Sequence, residues 1–147
     1  MKKLKPLLVA GLVILLSACA SGPKMAEVQS SIPTLKTNEG RIYFYRAGSM
    51  VGAAIQPNIS LNSKVVGESI PGGFFFIDQP PGPMEVVVAT EVEKKLTFML
   101  EAGQIRYVRT TIGFGLLAGR VYPELVDNAT AEKEIADTAY TGTPLKR

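Results

Sequence analysis

From Gly40 onward the chain alternates. Residues 41–46 set Ile42 and Phe44 on one face of an extended segment, with Tyr43 and Tyr45 on the other. A two-residue period, or a short run of β-branched and aromatic residues, returns over 58–61, 64–69, 73–78, 84–90, 95–100 and 105–112. Turn chemistry separates these runs. Asn62-Ser63 reads as a two-residue hairpin turn, and Gln79-Pro80-Pro81-Gly82 must turn because proline cannot donate to a ladder. Residues 91–94 join the next pair, and Glu101-Ala102-Gly103-Gln104 turns the chain into the 105–112 run. Short strands at spacings of about 8–12 residues predict an all-β fold, a small antiparallel β-sandwich of about seven strands.

The tail has a different pattern. Asp127 and Asn128 are placed to cap a short helix running to about Ala136, with Glu132 and Glu134 near its positive end. Beyond Tyr140 the chain is expected to fray. The sandwich is therefore assigned to residues 40–127, and the helix and frayed tail to 128–147. A folded unit of about 90–100 residues buries only some 60–65% of its unfolded surface, enough for a modest core.

Residues 1–18 follow another plan. Lys2, Lys3 and Lys5 form a basic head, residues 7–16 are an unbroken apolar run, and Ser17-Ala18 supply small residues. This is the layout of a cleaved secretory signal peptide. The run is too short to span about 30 Å of hydrocarbon, which needs about 20 residues. Leu16-Ser17-Ala18-Cys19 resembles the lipobox of bacterial lipoproteins. The resemblance implies cleavage before Cys19, a thioether-linked diacylglycerol on its sulfur and, in many Gram-negative bacteria, a third acyl chain on its amine. Two or three chains anchor far more firmly than one. Ala20 stands where aspartate commonly marks inner-membrane retention, so the resemblance implies the outer membrane, periplasmic face. Residues 20–39, polar with scattered apolar positions, read as a flexible linker.

Composition then removes several functions. Taking Lys2, Lys3 and Lys5 from 16 Lys and Arg leaves 13, against 13 Asp and Glu, so the mature chain is neutral. No basic block remains to recruit nucleic acid. Cys19 is the sole cysteine, which excludes an internal disulfide. There is no histidine, hence no ordinary neutral-pH base. No metal-ligand spacing is present and no cofactor is expected.

Several landmarks taken in order resemble a known family. They are Gly40-Arg41-Ile42-Tyr43-Phe44-Tyr45-Arg46, Ile59-Ser60-Leu61-Asn62 with Lys64, Val66 and Gly67, and Pro71-Gly72-Gly73-Phe74. Pro81-Gly82 before Glu85-Val86-Val87-Val88, and Glu101-Ala102-Gly103-Gln104 before Tyr107-Val108-Arg109, complete the set. Together they resemble a domain-of-unknown-function family of small Gram-negative lipoproteins, similar to PEGA-like and transthyretin-like sandwiches. Ser63 departs from the glycine usual at that hairpin in PEGA-like domains, so Asn62 is expected to take the left-handed conformation. The resemblance brings no activity.

Three groups of residues are candidates for function. Gly113-Phe114-Gly115-Leu116-Leu117-Ala118-Gly119 lacks the βαβ context of a nucleotide fingerprint, since Arg120-Val121-Tyr122-Pro123 is extended. Phe114, Leu116 and Leu117 then either close one end of the sandwich or form an apolar flap that docks on a partner or a membrane. In Phe74-Phe75-Phe76 neighbouring rings must point to opposite faces, so either both faces are covered or Phe75 is an exposed contact. Glu91 and Glu93, two apart, can face the same way as an acid-base pair, but charged hairpin tips look the same. The ending Pro144-Leu145-Lys146-Arg147 places arginine last, unlike lipoproteins joined to peptidoglycan through a terminal lysine.

The sequence thus predicts a lipid-anchored, non-enzymatic envelope module that binds a protein partner through a sheet edge or the 114–117 loop. The alternative is a carrier of an apolar ligand with Phe74, Phe76, Phe114 and Leu116 lining a cavity. A more remote one is a hydrolase built on Glu91 and Glu93.

Overall fold

The structure, a computed structural model, describes residues 19–146. Segment 1–18, for which a signal peptide is expected, and Arg147 lie outside the described residues. Strands β1 (Gly40–Tyr45), β2 (Asn58–Leu61), β3 (Lys64–Glu68), β4 (Gly73–Gln79), β5 (Gly82–Ala89), β6 (Glu93–Leu100) and β7 (Ile105–Gly113) form where the alternation predicts them. Two more appear, β8 (Arg120–Val126) and β9 (Ala139–Tyr140). Pro123 sits within β8, and it is tolerated there because β8 is an edge strand.

The nine strands make two sheets, ordered β8-β7-β1-β4-β9 and β3-β2-β5-β6. The sandwich is not wholly antiparallel. β1 pairs in parallel with β7, and β4 with β9. The first pairing follows from the turn after β6. Gly103 N–H donates to the Glu39 carbonyl and Arg41 N–H to the Gln104 carbonyl, each at 2.9 Å. β7 therefore starts beside the start of β1 and runs the same way. At the Asn62-Ser63 hairpin both residues take positive φ, 48° and 69°, the pair of left-handed conformations a tight I′-type turn requires. The Asn62 side chain holds the turn by accepting from Glu85 N–H at 2.8 Å.

The three phenylalanines of β4 divide between two apolar layers. Phe75 points between the sheets and stacks on Phe44, with ring centroids 5.0 Å apart and planes 16° from parallel. Ile42, Ile59, Val86, Val88 and Val108 complete that core. Phe75 is thus no exposed contact residue: it is 4% exposed, and a Cβ on Gly67 would lie 2.5 Å from its ring. Phe74 and Phe76 point outward with Tyr43, Tyr45 and Tyr107, into a second layer beneath the chain termini.

That second layer explains why residues 20–39 are folded rather than a free linker. Helix α1 (Met25–Val28) and a 3-10 turn (Gln29–Ser31) lay Met25, Val28 and Ile32 over the aromatic face. Left bare, that face would be a large exposed apolar surface. Tyr140 N–H donates to the Pro23 carbonyl at 2.8 Å. Arg41 grips both Asp78 carboxylate oxygens, at 2.6 and 2.7 Å, and also donates to the Pro33 carbonyl at 2.8 Å.

Helix α2 (Asn128–Ile135) begins as the sequence predicts, with Asp127 accepting from Thr130 N–H at 3.0 Å. Its Glu134 accepts from the Tyr45 hydroxyl at 2.6 Å and from Arg109 at 2.7 Å. These bonds to Tyr45 and Arg109 hold the Glu134 carboxyl below its usual range. The tail stays on the sheet past Tyr140: Thr141 N–H donates to the Phe74 carbonyl at 2.8 Å and Leu145 joins the outer layer.

Candidate functional site

The pairing registers bring several connections to one end of the sandwich. β1 and β7 finish there, and β4 and β8 start there, as Tyr45↔Phe74 and Gly113↔Arg120 place them. The tip of the β5–β6 hairpin joins them. The loops 46–57, 69–72, 90–92 and 114–119 therefore share this end.

It is apolar and exposed. Phe114, Leu116 and Leu117 are 100%, 89% and 96% exposed, and Met50 and Val51 stand out from the neighbouring loop. Between the two loops runs a groove of about 440 Å³ floored by Ile55 and Ile112. Of the two alternatives for Phe114, Leu116 and Leu117, closure of the sandwich end does not occur and the exposed apolar loop does. The end is instead stitched by Arg46, a buried guanidinium that donates to the carbonyls of Ile55 at 2.6 Å, Gly52 at 2.9 Å and Ser69 at 3.1 Å.

The exposed loop is held out by one carboxylate. Glu91, at the β5–β6 tip, accepts from the backbone N–H groups of Leu116 and Leu117 at 2.9 Å each and of Ala118 at 3.2 Å. Arg120 donates to it at 2.8 Å. Successive N–H groups converging on one anion form a nest. The loop closes so tightly that a Cβ on Gly115 would meet the Ala118 carbonyl at 1.6 Å and Glu91 Oε1 at 2.2 Å. The glycine-rich segment does cradle an anion, and that anion is the chain's own side chain.

Hydrogen bonds from Leu117 N–H and then Arg120 pull the Glu91 carboxyl from 4.5 down to about 2. A lowered carboxylate stabilises the loop fully above pH 4.5, and that support fades as pH falls through about 2. By NMR, the Leu116, Leu117 and Ala118 amides are expected to titrate together near pH 2, and E91Q to abolish the transition. Amides that titrate near pH 4.5, or independently of Glu91, would contradict the nest.

The other proposed groupings do not assemble. Glu93 turns to Lys95 at 3.3 Å while Glu91 faces the loop, so they form no acid-base pair. Phe74 and Phe76 lie in the outer aromatic layer, apart from Phe114 and Leu116 at the apolar end, so the four line no common cavity among the described residues. Cys19 is exposed where the described chain begins, and the next residue, Ala20, donates its N–H to the Pro71 carbonyl at 2.9 Å. The sequence pattern marks Arg46 only as the last residue of the Gly40–Arg46 landmark and does not mark Met50 or Val51. Two apolar residues inside Gly48-Ser49-Met50-Val51-Gly52 were the available signal.

Residues 36–121 match the family described as "Protein of unknown function (DUF2846)". The chain belongs to DUF2846. An uncharacterized protein of Haemophilus influenzae is 30% identical over 135 residues, covering 87% of this chain and 79% of the relative. No solved structure matches. The DUF2846 region runs from just before β1 into the start of β8, and so contains Arg46, Glu91 and both apolar loops.

Proposed function

We propose that this DUF2846 chain is a lipoprotein, cut before Cys19 and acylated on that residue, which serves as a non-enzymatic docking module of the cell envelope. Its place is the periplasmic face of the outer membrane, and its contact surface is the apolar end formed by Phe114, Leu116 and Leu117 with Met50 and Val51. The observation that carries the reading is that these side chains are exposed on a loop that Glu91 holds in shape. A surface ordered before binding loses less entropy when it docks. The accessible Cys19 after a signal-like segment supports the tether, and a tether raises the local concentration of anything the apolar end contacts. An evolutionary kinship with PEGA-like sandwiches is part of the same proposal, supported by the short β2–β3 hairpin.

Metabolic labelling with an alkyne fatty acid tests the tether. The wild-type chain is expected to carry the label and to fractionate with membranes. C19A is expected to lose the label and stay as the unprocessed precursor. Label retained by C19A, or none on the wild type, would remove the lipoprotein reading.

A further inference from the structure

We propose that the apolar end docks on the lipid bilayer itself, the same bilayer that holds the acyl chains of Cys19, and that Phe114, Leu116 and Leu117 enter it. The inference rests on the acylation of Cys19 and names the partner of the surface just described. It begins with where Cys19 enters the fold. Ala20 is bonded to Pro71, and its Cβ lies 3.1 Å from a Cβ position on Gly73, the first residue of β4. Gly73 pairs near the end of β1, as Tyr45↔Phe74 shows, which is the end that carries the apolar loops. No free spacer therefore separates the lipid attachment point from the sandwich. A diacylglycerol on Cys19 would hold this end of the domain at the headgroups.

The side chains at that end suit the location. The 48–52 and 113–119 segments carry no charged residue. Ile55 and Ile112, which flank them, bring them side by side: a Cβ on Gly119 would lie 2.6 Å from Ile55, and one on Gly52 3.1 Å from Ile112. Glu91 is the acid closest to the loop, and its carboxylate is turned inward onto N–H groups and Arg120. No charged side chain in the two loop tips resists transfer into the zone about 5–10 Å deep where interfacial apolar groups lie. The opposite end differs, since its turns carry Asn62, Ser63, Lys64, Glu101 and Gln104. A protein partner would have to displace an end of the domain already held against lipid. The accessible edge of β3, with Lys64 and Glu68 exposed, remains open to the periplasm for such a partner.

The chain has no tryptophan, so a single introduced indole reports its own surroundings. The full chain, expressed with its signal and purified, is reconstituted into phosphatidylethanolamine/phosphatidylglycerol vesicles containing acyl-brominated lipid. Bromines quench only an indole at acyl depth, so L116W is expected to be quenched about threefold more than M99W. Met99 is the control because it is also exposed but pairs with Pro83 near the opposite end. Intact mass of the same sample reads the acylation. Missing acyl chains would overturn the tether and this inference together. An acylated chain with equal or no quenching at the two positions would overturn this inference alone. In cells, a photoreactive residue at Phe114 is expected to yield phospholipid adducts, and a discrete protein band there would overturn the assignment to the bilayer.

Discussion

F44A is expected to lower the stability of the sandwich by about 3–5 kcal/mol, the usual range for removing a fully buried phenylalanine. Phe44 is completely buried in β1, the middle strand of its sheet, and stacks on Phe75 across the β1–β4 pair. Such a stacked pair is worth about 0.5–1.5 kcal/mol beyond the burial of its two rings. The space cannot collapse readily, because Phe75 is itself wedged against Gly67. Domains of this size are stable by only about 5–15 kcal/mol, so one side chain accounts for about a fifth of the total or more. Urea unfolding of the 19–147 chain carrying C19A, followed by circular dichroism, checks this. The midpoint should fall with little change in m-value. L117A supplies the contrast. It truncates a residue of similar hydrophobicity that is fully exposed, and should stay within about 0.5 kcal/mol of the parent. A loss below about 1 kcal/mol in F44A would mean that the inter-sheet core is not close-packed around this ring.

The contrast between Phe44 and Leu117 also marks where the sequence was legible. Alternation identified the strands because one face of each meets a core, and β1 to β7 appear where the pattern placed them. Short-range turn chemistry was equally readable at Asn62-Ser63 and at the Asp127 cap. What alternation does not encode is which strands pair. The parallel β1–β7 ladder depends on Gly103 and Gln104 meeting Glu39 and Arg41, contacts that span more than sixty positions. β9 was missed for a related reason, since two residues carry no period. The linker reading failed because Met25, Val28 and Ile32 look scattered in sequence, yet they converge on the outer aromatic face. At the candidate site the apolar residues were visible as a cluster, but not their exposure. That depends on Glu91, 25 residues upstream of Leu116, whose role is fixed by three main-chain N–H groups that no side-chain pattern announces.

Arg46 is the residue whose loss should most disturb this end. R46M is expected to destabilise the domain by about 2–5 kcal/mol, because it strips buried carbonyls of their donors at about 1–3 kcal/mol each. Arg46 is 3% exposed, and its side-chain hydrogen bonds all go to main-chain carbonyls. Gly52 O keeps a second donor in Ile55 N–H, so the carbonyls of Ile55 and Ser69 bear most of the damage. Burial without a neighbouring anion lowers the pKa of Arg46. It stays charged at neutral pH all the same, because an arginine begins so far above it. The planar fork is what spans two loops at once, and lysine offers a point charge instead. R46K should therefore keep part of the stability, losing about half of what R46M loses. Urea midpoints in the same C19A background separate the cases. A loss under about 0.5 kcal/mol in R46M would show that water satisfies these carbonyls as well as the guanidinium does. A full loss in R46M with partial recovery in R46K would make a buried cation the brace that joins the Met50–Val51 loop to the end of β3. The apolar end would then owe its shape to two ionic anchors of opposite sign, Arg46 under one loop and Glu91 under the other, each binding main-chain groups and leaving the apolar side chains free to face outward.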